Sequence, residues 1–83
     1  MKALSRAAKR ARRDRLVDTF VESYVEWREE CNDLRRAYRL WATSGWSDRD
    51  LAFGAYRAAL DREEKAASVH ELVSQRLGRQ RGW

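Results

Sequence analysis

Aromatic and aliphatic residues recur at a strict seven-residue spacing from Val17 to Trp41. One set is Val17, Tyr24, Cys31 and Tyr38; the other is Phe20, Trp27, Leu34 and Trp41. Such a pattern, held for more than three heptads, fits a long amphipathic helix and no strand, whose faces alternate every second residue. Leu16 and Val21 widen the stripe. Glu22, Glu26, Glu29, Glu30, Asp33, Arg35, Arg36 and Arg39 fall between and are expected to face water. Nothing between Ser5 and Leu16 breaks a helix, and Ser5 is available as an N-cap. Alanine is the main apolar content of that front portion, so residues 1–12 are expected to form a basic, partly frayed extension.

The stretch "TSGWSDRDL" ends the pattern. Gly45 suits the left-handed position after a helix, and Ser47 suits the N-cap of the next, with Asp50 three residues on. Trp46, just before that cap, is placed to pack on Leu51 as a hydrophobic staple. Asp48 and Asp50 in the first turn suit the helix dipole. A tight turn over 44–47 is therefore expected between helices of about 13–43 and 48–77. The second helix stops before Gly78 and leaves a basic tail over 78–83.

The second helix has Ala52, Phe53, Tyr56, Ala59, Leu60, Ala66, Ala67, Val69, Val73 and Leu77 on its apolar face. Small residues opposite the rings of the first helix let two helices interdigitate closely. A short connection makes them antiparallel neighbours, with residue i facing a residue near 90 minus i. The fold class is all-α, an antiparallel two-helix hairpin. Two helices cannot cover wide rings on every side, and exposed apolar surface costs about 25 cal/mol per Å². A second copy would cover them, giving a homodimer or higher oligomer built as a four-helix bundle. The core or oligomer seam is then Phe20, Tyr24, Trp27, Cys31, Leu34, Tyr38 and Trp41.

At 83 residues the chain is one small domain, and such a chain buries only about 60% of its unfolded surface. It has no proline, and its 43% hydrophobic and 37% charged residues suit long exposed helices rather than a disordered chain. Cys31 stands alone, which excludes an internal disulfide and suits a reducing compartment. No apolar run approaches the roughly 20 residues of a membrane span, and the basic N-terminus lacks the apolar segment of a secretory signal. Its arginine-rich opening resembles a transit peptide, but arginine outnumbers lysine 15 to 3 over the whole chain. A cytoplasmic location is expected.

The net charge of +5 is unevenly spread: residues 1–15 carry +6, residues 76–83 carry +3, and the middle carries −4. Folding the chain at the turn brings both basic segments to the opposite end. Lys9, Arg10, Arg12, Arg13, Arg15, Arg76, Arg79 and Arg81 are thus the expected polyanion-binding residues. Nucleic acid or an acidic protein is the expected partner there. Terminal Trp83 could stack on a base. Ala3, Ala7, Ala8, Ala11 and Leu4 are too weakly apolar for firm membrane insertion. Contacts to phosphates of this kind are blind to sequence, and no helix-turn-helix is present to read bases.

The phrases "YVEWREEC" and "LAFGAYRAALDREEKAA" resemble a group of small uncharacterised actinobacterial proteins, over roughly residues 20–70. The resemblance implies a helical hairpin and a bacterial cytoplasmic setting, and it assigns no activity and no site residue.

Catalytic signatures are lacking: there is no phosphate-binding glycine loop, cysteine pair or nucleophile–histidine–acid set, so no enzyme and no cofactor is expected. Cys31, amid the seam, reads as an inert thiol or as a bridge between copies. His70 lies on the line Tyr56, Glu63, His70, Leu77, about one turn from Glu22, with Glu26 near Glu63 or Glu64. A hydrogen bond from His70 to Glu22, fixing helix register, is one reading. The other is a metal or small-molecule carrier built from Glu22, Glu26, Glu63 and His70 at a bundle interface. Its spacing departs from the Glu-x-x-His of di-iron bundles, since Ala67 stands where the glutamate should be.

Overall fold

The computed structural model describes residues 5–80. It consists of helix α1, Arg6–Ala42, a single 3-10 turn, Trp46–Asp48, and helix α2, Arg49–Gln80. The two long helices pack along their length as an antiparallel hairpin. Ser5 caps α1: its hydroxyl oxygen accepts the Ala8 N–H at 3.1 Å. Helix α1 runs unbroken from that cap through Arg6–Arg12. Alanine and arginine are strong helix formers, and this offsets the thin apolar content of the segment.

The chain reverses where expected, by different means. Gly45 is extended, with φ −74° and ψ 171°, and caps the 3-10 turn rather than taking a left-handed conformation. Ser47 lies inside that turn and is not an N-cap. The hydroxyls of Thr43 and Ser44 end α1 instead, donating to the Arg39 and Trp41 carbonyls at 2.8 Å each. The backbone N–H groups of the same two residues bond those carbonyls too, at 3.0 and 3.2 Å, so the last turn closes without a left-handed residue. The staple is absent too, with Trp46 96% and Leu51 79% exposed. Gly78 does not stop α2, which continues to Gln80. A solvent-facing helical glycine costs only about 1 kcal/mol, and nothing lies within 4 Å of where its Cβ would be.

Facing pairs fix the register. Phe20 meets His70, Trp27 meets Glu63, Glu30 meets Arg62, Tyr38 meets Tyr56 and Trp41 meets Phe53, so paired residue numbers sum to between 90 and 94. The line of closest contact on α1 is rotated from the sequence stripe. Ser23 is its buried residue, and on α2 it is Ala59, with no exposed surface. Glu30, expected in water, is half-buried on this line and paired with Arg62 at 3.3 Å. Phe20, Trp27, Leu34 and Trp41 are half-buried, whereas Val17, Tyr24 and Tyr38 remain 40–50% exposed.

The hairpin is a rod of 66 × 18 × 16 Å with a radius of gyration of 19.0 Å, where a compact chain of this length would have about 12 Å. Its accessible surface is 6958 Å², against about 5,200 Å² for a compact monomer of this mass.

Candidate functional site

Two features differ from an ordinary helix pair: a ring-rich seam and a basic end. In the seam's pole half, His70 is enclosed by Phe20, Tyr24 and Trp27, with ring centroids 4.8, 5.7 and 5.7 Å away. The imidazole stacks on Trp27 at 17°. Its Nδ1 lies 2.8 Å from the Ser23 hydroxyl, which also donates to the Phe20 carbonyl at 3.0 Å. Trp27 Nε1–H donates to Glu63 at 2.8 Å. The expected partnership of His70 with Glu22 is thus replaced by one with Ser23, because Ser23 lies on the true contact line. Glu63 faces the Trp27 indole, not Glu26.

Glu22, Glu26, Glu63 and His70 are not gathered into a metal-binding set. Glu63 is engaged by Trp27 and His70 by Ser23. Among the described residues, no three His, Cys, Asp or Glu side chains converge on one point. Cys31 is a half-buried free thiol.

In the turn half, Tyr38, Trp41, Phe53 and Tyr56 form a ring cluster, with Trp41 stacked on Tyr56 at 5.3 Å and 11°. The Arg49 guanidinium lies 5.9 Å from the Trp41 ring. Tyr38 and Phe53 are 50% and 40% exposed, so this cluster opens to solvent along one edge.

At the far end, Lys9, Arg10, Arg12, Arg13 and Arg15 of α1 and Arg76 and Arg79 of α2 are all exposed. Arg81, with Lys2, Ala3, Leu4 and Trp83, lies outside the described residues. By the register, Gln80 is level with residues 10–14, so the two basic segments share one end of the rod. Among the described residues, ion pairs join Arg36 to Asp33 and Arg62 to Glu30; neither involves this end. A groove lined by Val69, Leu72 and Val73 runs into Arg76 and Arg79. Sequence reasoning missed Ser23 as the histidine partner. The available signal was its place on the heptad line Leu16, Ser23, Glu30, Ala37, one residue ahead of the aromatic stripe.

Among the described residues, no helix is long and apolar enough to cross a membrane. No protein-family model, curated protein or solved structure matches this chain.

Proposed function

We propose that the hairpin is a non-catalytic interaction module that pairs with a second copy along its ring-bearing edge and binds a polyanion at its basic end. The observation that carries the binding half is the cluster of seven exposed cations, Lys9 to Arg15 with Arg76 and Arg79, on one end of a rod whose middle is acidic. Unpaired, solvated cations release phosphate counterions on contact, which is the source of sequence-independent affinity for nucleic acid. Self-pairing is supported by the half-exposed Val17, Tyr24, Tyr38 and Phe53 and by the large surface of the lone hairpin. Burying such rings against a copy removes apolar surface from water at about 25 cal/mol per Å². The lone Cys31 fits a reducing, cytoplasmic setting.

The test is binding to duplex DNA and to heparin across salt, with mass measured in solution. Six or more phosphate contacts imply that affinity falls about a thousandfold between roughly 50 and 200 mM salt. Affinity that is flat in salt, or that survives replacement of Arg10, Arg12, Arg13 and Arg15 by alanine, refutes the polyanion reading. A monomer mass at micromolar concentration refutes self-pairing. The carrier reading gains nothing from an arrangement in which Glu63 and His70 are already engaged within the hairpin.

A further inference from the structure

We infer that the side of the hairpin away from the rings is a second self-docking face, on which two copies lie parallel with α1 of each over α2 of the other. It goes beyond the ring-edge pairing proposed above and does not depend on it. The Glu30–Arg62 ion pair marks this side of the contact line, as the Trp27–Glu63 bond marks the ring side. Grooves open near both ends of it. One, at the turn, is lined by Ala37, Leu40, Leu51 and Ala55 among others. The other, in the pole half, is lined by Val69, Leu72 and Val73 with Arg76 and Arg79. Leu40, Leu51 and Leu72 are 61–79% exposed, so the hairpin itself does not cover this face.

Charge names the occupant. On α1, Glu22, Glu26, Glu29 and Asp33 lie on the face of Leu40, at spacings of three, four and seven. Arg15 and Arg36 bracket this acidic edge. On α2, Arg62, Lys65, Val69, Leu72 and Arg76 follow Leu51 in the same way and make the opposite edge basic. Glu22, Glu26, Glu29, Lys65 and Arg76 are exposed, and none belongs to an ion pair among the described residues. A face with one acidic and one basic edge complements itself when a two-fold axis runs along the rod. That axis lays each α1 over the α2 of the second copy at the same level. Facing numbers sum to between 90 and 94, so Glu26 and Glu29 fall level with Lys65 of the second copy, and Asp18 with its Arg76. Leu40 falls over Leu51. Rods laid antiparallel would put acids over acids and cations over cations, which opposes association.

The surface area leaves room for such a contact. At 6958 Å² it exceeds that of a compact monomer by about 1,700 Å², enough for two faces that each bury about 800 Å². Self-complementary faces on opposite sides of one rod carry assembly past a dimer. The parallel alignment also sets the two basic ends side by side. Arg15 and Arg79 of the second copy are level there and repel, a cost that salt screens. A polyanion bound at that end offsets the same cost, so its binding and pairing on this face reinforce one another.

The experiment is charge reversal in the full chain, with mass read by analytical ultracentrifugation at about 100 mM salt. One variant carries Glu26→Lys with Glu29→Lys, and the other carries Lys65→Glu with Arg76→Glu. These positions are exposed, and circular dichroism should show the helix content of the unmodified chain in both. The unmodified chain should associate beyond a dimer. Each variant alone should lose that step, its affinity falling about tenfold, because like charges then meet across the axis. An equimolar mixture of the two should regain it, since each α1 then finds an α2 of opposite sign. Loss without rescue in the mixture overturns the inference, because the charges then act within one chain or on a partner of another kind. An unmodified dimer that both variants retain overturns it too and leaves the ring-edge reading standing. A dimer that each variant reduces to monomer and the mixture restores supports this face and overturns the ring edge. A monomeric unmodified chain overturns both.

Discussion

The two halves of the seam are built from the same residue types and hold together differently. In the turn half, Tyr38, Trp41, Phe53 and Tyr56 meet ring against ring. In the pole half, two of the rings have polar partners: Trp27 donates to Glu63, and His70 meets Ser23. Apolar contact is nondirectional and tolerates sliding, whereas a half-buried hydrogen bond is satisfied in one register only. The turn half supplies adhesion, and the pole half supplies the address.

The largest test of that contrast is Trp41→Ala. It removes the ring that touches Tyr38, Phe53 and Tyr56, and should cost about 3 kcal/mol, toward the low end for a large ring because Trp41 is half-buried. Chemical denaturation followed by circular dichroism reads it directly. Pairing with a copy should weaken as well, since the exposed edge of the cluster loses its backing.

A sharper comparison sets Trp27→Phe against Trp41→Phe. Both keep a ring, but only the first strands the Glu63 carboxylate. Trp27→Phe should be the more costly by about 1 kcal/mol, the net value of one hydrogen bond, and a cycle with Glu63→Ala should recover that difference as coupling. Equal costs would mean that the pole half is held by ring contact alone.

Ser23→Ala should cost about 1 kcal/mol and leave the His70 ring free to reorient. Hydrogen exchange should then rise in both helices around this junction more than around the turn. The smallest effect is of opposite sign. Gly78→Ala should stabilise by up to about 1 kcal/mol, because the position is helical and open, and alanine removes the entropic cost of glycine. A loss of stability there would mean that α2 ends earlier than Gln80.

Much of the fold was legible in the sequence because hydrophobic period and helix type are coupled locally. The heptads from Val17 to Trp41 dictate a long helix, and the break at Thr43–Ser47 dictates a reversal. Within that break the expected devices failed individually. Gly45, Ser47 and Trp46 each suited a recognised capping role, yet Thr43 and Ser44 could cap the carbonyls ahead of them, and the shorter route prevailed. Cross-helix partners were less legible still. One sequence repeat sets which side of a helix is apolar but not its rotation against a neighbour. The contact line passes through Ser23 and Ala59, two small residues that permit close approach, and not through the middle of the ring stripe. That shift of one position exchanged Glu22 for Ser23 as the partner of His70 and brought Glu30 to Arg62. The basic end was legible because charge needs no register, only the direction of the chain.

The Ser23 hydroxyl has one hydrogen to share between the Phe20 carbonyl and His70 Nδ1, and the imidazole tautomer decides which of them receives it. The nitrogen resonances of the chain's lone histidine thus form a built-in gauge, reporting whether the two rods are meshed in their native phase.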